Sequence, residues 1–120
     1  MATASELKGV ICKADDRSLV EVGVPEWTPD TLYLRPISGR DRDDYEQALV
    51  AAQTSGKRVE NLRALLVAKS LCDSDNNRLF EDGEVALLGA KSGAVLDRLF
   101  DQVRKINGMA DADIEEAWGN

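Results

Sequence analysis

The feature that most constrains this fold is a stripe of apolar side chains near the C-terminal end of the chain. The stripe consists of Val95, Leu96, Leu99, Phe100, Val103 and Ile106. Residues at this spacing lie on one face of an α-helix, and an apolar face has to be buried against the rest of the chain. Ser92 is a suitable N-cap, and Asn107-Gly108 is a suitable end. The sequence therefore predicts a long helix that packs on a core.

Shorter stripes predict further helices. Ser5, Ser38 and Asp82 stand where N-cap residues are expected for three of them. The predicted ranges are about 5–14, from Ser38 to Ser55-Gly56, Glu60–Cys72, Asp82–Gly89 and, as a last short acidic helix, 110–118.

Two β-strands are predicted between the first two helices. Residues 18–24 are rich in Val and Leu, and residues 31–37 alternate, with Leu32 and Leu34 on the same face. The residues between them predict a loop, and the whole range 18–37 predicts a β-hairpin. Because an isolated hairpin is marginal in water, this one must pack on the helices or on another subunit.

These elements predict an α+β fold that is mostly α: a small helical domain of about four to five helices with an N-terminal β-hairpin. A chain of 120 residues is the size of one domain. The expected organisation is an N-terminal segment with a short helix at 1–17, the main domain at 18–109 with its helices in 39–108, and an acidic tail at 110–120.

The acidic composition limits the partners that the chain can have. The formal net charge is −7, which is unfavourable for binding phosphate backbones or anionic membranes. We therefore expect neither nucleic acid nor a membrane as a partner. No apolar run reaches the length of a membrane-spanning helix, and the N-terminus lacks the pattern of a signal peptide, so a cytoplasmic protein is expected.

The residues of common catalytic sites are missing or isolated. The chain has no His, which excludes Ser-His and Cys-His dyads. Cys12 and Cys72 are far apart and are interpreted as buried, reduced thiols. Paired acids such as Asp43-Asp44 lie in polar runs, where a solvated face is expected and not a dry cleft. The sequence therefore predicts no enzyme activity and no cofactor.

A polar loop partly fits the template of a calcium-binding EF-hand. The ligand positions would be filled by Asp73, Asp75, Asn77, the carbonyl of Leu79, and Glu84. Arg78, however, occupies the place of the glycine that the template needs for its sharp turn, and it brings a cation into the site. The same residues are also typical of an ordinary turn before a helix.

The predicted hairpin also carries the candidate partner-binding residues. Trp27 lies in its loop, and tryptophan is enriched at binding hot spots, although a large aromatic ring can equally fold back on the core. Contacts to a partner are predicted for Trp27, Leu32 and Leu34.

Three groups of short segments carry a resemblance to a known family. They are VGVPEW at 22–27 with LYLRPISGRDRD at 32–43, LLVAKSLCD at 65–73 with NRLF at 77–80, and LGAKS at 88–92 with LDRLF at 96–100 and ING at 106–108. In this order they resemble the hairpin before the first helix, the central helix and turn, and the last long helix of the tail assembly chaperones of siphophages. The resemblance covers most of residues 20–110.

The resemblance implies a function in the assembly of phage tails. In such families the chaperone binds and solubilises the long, apolar tape measure protein before the tail tube forms around it, and it is absent from the mature virion. A programmed −1 ribosomal frameshift produces a minor, longer form that recruits the tail tube protein. The implied location is the host bacterial cytoplasm, and self-association of copies along one client is expected.

The codons of Trp118-Gly119-Asn120 are compatible with such a frameshift. If Gly119 is encoded by GGA, the message contains the heptamer GGGAAAY, where Y is a pyrimidine. Both tRNAs can pair again after a −1 slip on this heptamer. Two other functions stay open on the sequence: a structural tail-terminator or connector protein of the virion, and an EF-hand-like calcium-binding module at Asp73–Glu84.

Overall fold

The computed structural model describes residues 1–54 and 61–109, and in this part of the chain it confirms an α+β fold that is mostly α. The described residues form five α-helices, one 3₁₀ turn and one three-stranded sheet. In chain order the elements are α1 (Ala4–Lys13), β1 (Val20–Gly23), β2 (Thr31–Leu34), α2 (Gly39–Thr54), α3 (Leu62–Ser70), β3 (Leu71–Cys72), the 3₁₀ turn (Asp82–Glu84), α4 (Val85–Gly89) and α5 (Gly93–Ile106).

Some predictions fall on residues that the structure does not describe. These are the helix at 110–118, the acidic tail at 110–120, the helix end at Ser55-Gly56 and the helix start at Glu60. Within the described ranges, no helix combines the length and apolar character that crossing a membrane requires.

Side-chain caps set the start of several helices. The hydroxyl oxygen of Ser38 accepts a hydrogen bond from the Asp41 N–H at 3.1 Å, and Ser92 is the N-cap of α5, as predicted. The predicted cap Ser5 is wrong: Thr3 takes this position, with its hydroxyl accepting from the Glu6 N–H at 3.2 Å. After the C-terminal end of α5, Gly108 adopts a φ of 65°, a conformation that glycine reaches without strain.

The predicted helix over Glu60–Cys72 ends two residues early. Leu71 and Cys72 form β3, which pairs antiparallel with Leu34 and Tyr33 of β2. Both residues are fully buried, and an apolar pair of this kind fits the end of a helix as well as a strand. Leu71 and Cys72 form a strand because the backbone N–H and C=O groups of the neighbouring β2 need hydrogen-bond partners.

Asp82 is not the helix cap that the sequence predicts. Glu81 is the N-cap of the 3₁₀ turn, and Glu81 and Glu84 form a reciprocal capping box. The carboxylate of Asp82 instead accepts a hydrogen bond from Arg78 at 2.8 Å. This hydrogen bond is the main reason that the pKa of Asp82 lies below its ordinary value.

The sheet has the order β1-β2-β3, so the predicted hairpin forms two of its three strands. Its register pairs Val20 with Leu34 and Val22 with Leu32. These four side chains share one face of the sheet, because directly paired residues point to the same side. Val22 and Leu34 are buried, so this face is the one that packs on the helices.

Helix α3 occupies the centre of the molecule. It contacts α2, α4 and α5, and seven of its nine residues are buried. A helix that is surrounded in this way needs small or apolar side chains on all of its faces. The apolar stripe of α5 packs on it and is buried at Val95, Leu96, Leu99, Phe100 and Val103, as its spacing predicts.

The buried face of α3 also carries a charge. Lys69 is 1% exposed, and its ammonium group lies 3.6 Å from Asp41, 3.9 Å from Asp44 and 3.5 Å from Asp82. Asp41 and Asp44 belong to α2, whereas Asp82 begins the 3₁₀ turn. The ammonium therefore joins three parts of the chain that are distant in sequence.

A second buried cation fastens the hairpin to the same helix. Arg35, directly after β2, is 8% exposed. Its backbone N–H donates to the Ser70 carbonyl at 3.0 Å, and the Ser70 hydroxyl donates to the Arg35 carbonyl at 2.6 Å. Its guanidinium donates to the Asn76 carbonyl and side-chain oxygen, at 3.1 and 3.0 Å. Burial lowers the pKa of the guanidinium from its ordinary value.

We predict that removing carboxylates around Lys69 costs more stability than removing the lysine charge. The double substitution Asp41→Asn/Asp82→Asn leaves a buried ammonium poorly compensated and should lower the free energy of unfolding by about 2–4 kcal/mol. Lys69→Met introduces an apolar side chain of similar length. Asp44 and Asp82 are 53% and 56% exposed and can rehydrate, whereas Asp41 is 19% exposed and rehydrates less, so a loss of about 1–2 kcal/mol is expected. Urea unfolding followed by circular dichroism measures both.

The matched control combines the changes. Lys69→Met introduced into the double Asn background should recover the part of the lost free energy that comes from the buried ammonium, because that charge is then removed; the loss of the Arg78–Asp82 pair remains. Equal losses for the double Asn variant and for Lys69→Met alone would contradict the assigned role of the carboxylates.

Candidate functional site

The loop of the hairpin carries Trp27. Trp27 is partly buried and packs against the core cluster. The Val24 carbonyl accepts hydrogen bonds from the backbone N–H groups of Trp27 and Thr28, at 2.9 and 3.0 Å. The ring is therefore held by a structured turn, with part of its surface left open to solvent.

The other two predicted contact residues differ in their exposure. Leu32 is partly buried, whereas Leu34 is 1% exposed. The alternation correctly places the side chains of Leu32 and Leu34 on one face of β2. This face packs on the core. Leu32, which is nearer to the hairpin loop than Leu34, keeps some exposure to solvent. Because Leu34 is almost completely buried in this structure, it cannot contact a partner there. The candidate surface therefore does not include it. The roles of Trp27 and Leu32 stay predictions.

A long-range ion pair holds the loop in place. The Arg98 guanidinium donates two hydrogen bonds to the Glu26 carboxylate, at 2.8 and 2.9 Å. Arg98 lies on α5 and Glu26 directly precedes Trp27, so the pair connects the tip of the hairpin to α5. Chiefly through these hydrogen bonds, Arg98 lowers the pKa of Glu26 from 4.5 to about 2.

Helix α1 carries an apolar face that the rest of the described chain does not cover. Leu7 is 50% exposed, Val10 is 68% exposed and Ile11 is 71% exposed. None of the ten residues of α1 is buried. The predicted helix at 5–14 is thus confirmed, but the spacing that predicts an apolar face does not tell whether that face is covered.

Other exposed large apolar side chains are scattered over separate elements, where single ones need no special explanation. Val20 is on β1, Val50 on α2 and Leu87 on α4, and they are 43%, 54% and 60% exposed. Leu79, in the turn after β3, is 38% exposed. Among the described residues, α1 is the helix that presents three such side chains at helical spacing.

The two cysteines have different environments, so the prediction that both are buried is half wrong. Cys72 is buried in β3, and its burial raises the pKa of the thiol. Cys12 is exposed because it lies on α1, which has no covering element among the described residues. Both thiols are free.

The loop that resembles a calcium site uses its carboxylates in other contacts. One oxygen of Asp73 accepts hydrogen bonds from the N–H groups of Asp75 and Asn77, both at 2.9 Å. The Glu84 side chain closes the capping box by accepting from the Glu81 N–H at 3.0 Å. Within residues 1–54 and 61–109, no group of three or more Cys, Asp or Glu side chains is placed to hold a metal ion.

The described surface carries exposed and partly exposed apolar side chains in two candidate areas for contact with another protein. Its two candidate areas are the hairpin tip, defined here as Trp27 and Leu32, and the α1 face, defined here as Leu7, Val10 and Ile11. The second large aromatic that the sequence draws attention to, Trp118, lies outside the described residues.

Comparisons with known proteins point to one family. The family model described as phage tail assembly chaperone matches residues 7–118. Among solved structures, the tail assembly chaperone of bacteriophage HK97 is similar, with 24% sequence identity, a TM-score of 0.64, and coverage of 91% of this chain and 100% of that chain. At this identity the structural match shows a shared fold. No curated protein sequence matches the chain.

We predict that Arg98→Gln raises the pKa of Glu26 toward 4.5, because the two hydrogen bonds that favour the carboxylate are lost. In the wild-type protein the folded-state pKa is depressed, so the pair stabilises the fold above about pH 4.5, and this contribution is lost as the pH falls toward 2. NMR titration of the Glu26 side-chain carbonyl carbon measures the shift.

Arg63→Gln is the control, because Arg63 forms a different surface ion pair, with Asp97 at 3.0 Å. It should leave the titration of Glu26 unchanged. A Glu26 pKa that stays near 2 in Arg98→Gln would show that Arg98 is not its main cause.

Proposed function

The chain belongs to the phage tail assembly chaperone family, and from this premise we propose that it binds and solubilises the tape measure protein during tail assembly. The observation that carries the proposal is the family match, which extends over residues 7–118 and so includes nearly all of the fold described above. The chain would act by temporary binding to another protein and would transform no substrate.

The charge and the apolar surface of the chain support this proposal. A holding chaperone needs exposed apolar surface for its client, and it also has to keep the complex in solution. The formal net charge of −7 suits the second requirement, because like-charged complexes repel one another. The partly exposed ring of Trp27 suits the first, because it follows Glu26, which is paired with Arg98, and rigid aromatic anchors lose little entropy on binding.

We expect client contacts at the hairpin tip. Trp27→Ala should weaken binding of the tape measure protein about tenfold or more, because truncating an aromatic anchor commonly costs 2 kcal/mol or more. Leu32→Ser should also weaken binding. The measurement is co-expression with the tape measure protein from the same phage, followed by the amount of client that stays soluble and co-purifies.

The control is Leu87→Ser on α4, a 60% exposed apolar residue on a different element. It should leave co-purification unchanged, and circular dichroism should show wild-type helicity in all three variants. Unchanged co-purification in Trp27→Ala and Leu32→Ser would remove the hairpin tip from the proposal. A wild-type chain that fails to keep the client soluble would overturn the function itself.

The proposal includes a longer, frameshifted form that recruits the tail tube protein, and it places the chaperone in the host cytoplasm and outside the mature virion. We expect the gene to read GGGAAAY across codons 118–120, followed by a long open −1 frame. Mass spectrometry of purified virions should not detect the chain. Detection in stoichiometric amounts would favour a tail-terminator or connector protein, and a different heptamer with a closed −1 frame would rule out the longer form.

A further inference from the structure

Helix α1 is an amphipathic helix whose apolar face is open to solvent. With 100° of rotation per residue, Leu7, Val10 and Ile11 fall within one face. These side chains are 50%, 68% and 71% exposed, and no residue of α1 is buried. The described body of the chain therefore does not cover this face.

A helix of this length and composition needs a packing partner. Isolated helices shorter than about 12–15 residues are marginal in water, because nucleation is costly, and α1 has ten residues. Gly9 in its middle costs about 1 kcal/mol relative to alanine. Helical structure over Ala4–Lys13 is therefore expected to persist only where another surface covers the apolar face.

The charge of this segment differs from that of the rest of the chain. Residues 1–13 contain Lys8 and Lys13 against Glu6, a net charge of +1, so residues 14–120 carry −8 of the total of −7. At 100° per residue, the two lysines lie on opposite sides of the apolar face. An apolar strip between two cations is complementary to an apolar strip that is bordered by carboxylates.

The size of the α1 face favours a reversible contact. Three side chains with these exposures offer roughly 300–400 Å², whereas a stable interface between folded proteins buries about 800 Å² per partner. A contact of this size is weak alone, but it adds strongly to a second contact with the same partner molecule. The hairpin tip, Trp27 and Leu32, is the second candidate contact on this chain.

The connection between α1 and the sheet allows both contacts to form on one partner. Residues 14–19 have no helix or strand, and an extended chain of this length spans up to roughly 20 Å. Helix α1 can therefore be placed on a partner that already touches the hairpin tip, which follows in the same part of the sequence.

We propose that the α1 face is a second contact for the client, and that it binds an apolar segment of the client that is bordered by Asp or Glu side chains. This inference rests on the proposed binding of the tape measure protein. It adds a binding element, α1, and the charge pattern of the client segment that this element binds.

Co-expression with the tape measure protein from the same phage tests the contact. Leu7→Ser/Val10→Ser/Ile11→Ser should lower the amount of co-purifying client by about fivefold or more, because the apolar contact is lost. The control Val50→Ser/Leu87→Ser removes exposed apolar side chains from α2 and α4 and should retain the client. Urea unfolding of the triple Ser variant should match that of the wild type, since α1 has no buried residue.

The outcomes separate this inference from the function on which it rests. If the wild type and the triple Ser variant retain the client equally, the α1 contact is refuted and the chaperone function stands. Equal loss of the client from the control variant would also refute the contact, because the effect would then not be specific to α1. If the wild type itself retains no client, the function and the α1 contact both fall.

Charge reversal tests the complementarity. Lys8→Glu/Lys13→Glu keeps good helix formers and the apolar face, and it should weaken retention of the client by placing acids against the carboxylates of the client. The matched control Lys91→Glu/Lys105→Glu makes the same change of net charge at exposed positions outside α1. Equal retention by the two variants would refute the predicted charge pattern.

Photo-cross-linking identifies what covers the α1 face. A benzophenone maleimide on Ala14→Cys/Cys12→Ser extends the apolar face at its C-terminal end, whereas the same label on Cys12 of the wild type points away from this face. Cys72 is buried and should not react. In the purified complex, the label at position 14 should give several times more cross-linked client than the label on Cys12.

Mass spectrometry of the cross-linked client peptide completes the test. The peptide should contain apolar residues flanked by Asp or Glu. Cross-links to a second copy of the chaperone alone, equal yields from the two label positions, or a peptide flanked by Lys and Arg would overturn the proposal.

Discussion

The buried ammonium of Lys69 determines how the parts of this fold meet. A cation that is 1% exposed is tolerated only where opposite charge and polar groups replace the water it has lost. Asp41 and Asp44 bring the first turns of α2 to α3, and Asp82 brings the segment before α4 to the same place. The apolar core supplies most of the driving force for collapse, but it would accept several arrangements of helices. Among these arrangements, those that bring carboxylates to the ammonium avoid the cost of an unpaired buried charge.

The central helix α3 continues directly into strand β3 of the sheet. The two candidate surfaces are connected to this core in different ways. Ser70 ends α3 and exchanges hydrogen bonds with Arg35, so the hairpin is anchored at its base. At its tip, Glu26 and Arg98 close a second connection. The hairpin tip is therefore part of the packed body. Helix α1, in contrast, has no buried residue, and its apolar face is exposed.

This division of the molecule suits the function that we propose. A chaperone that holds an apolar client has to expose apolar surface without aggregating, and a high net charge of one sign limits aggregation. The α1 face and the hairpin tip are separate apolar surfaces on different elements of the chain.

What the sequence determines by itself is local. The stripe of α5, the caps Ser38 and Ser92, and the turn at Gly108 depend on residues three or four positions apart, and all of them are confirmed. The family resemblance is confirmed as well, since it rests on the order of such local patterns. The exposure of the α1 face, the inward position of Leu34, the strand at Leu71-Cys72 and the ion pairs of Lys69 and Asp82 depend on which distant segment lies alongside. Periodicity specifies which side chains share a face, but only the tertiary structure decides what covers that face, because burial is a property of two surfaces that come from distant parts of the chain.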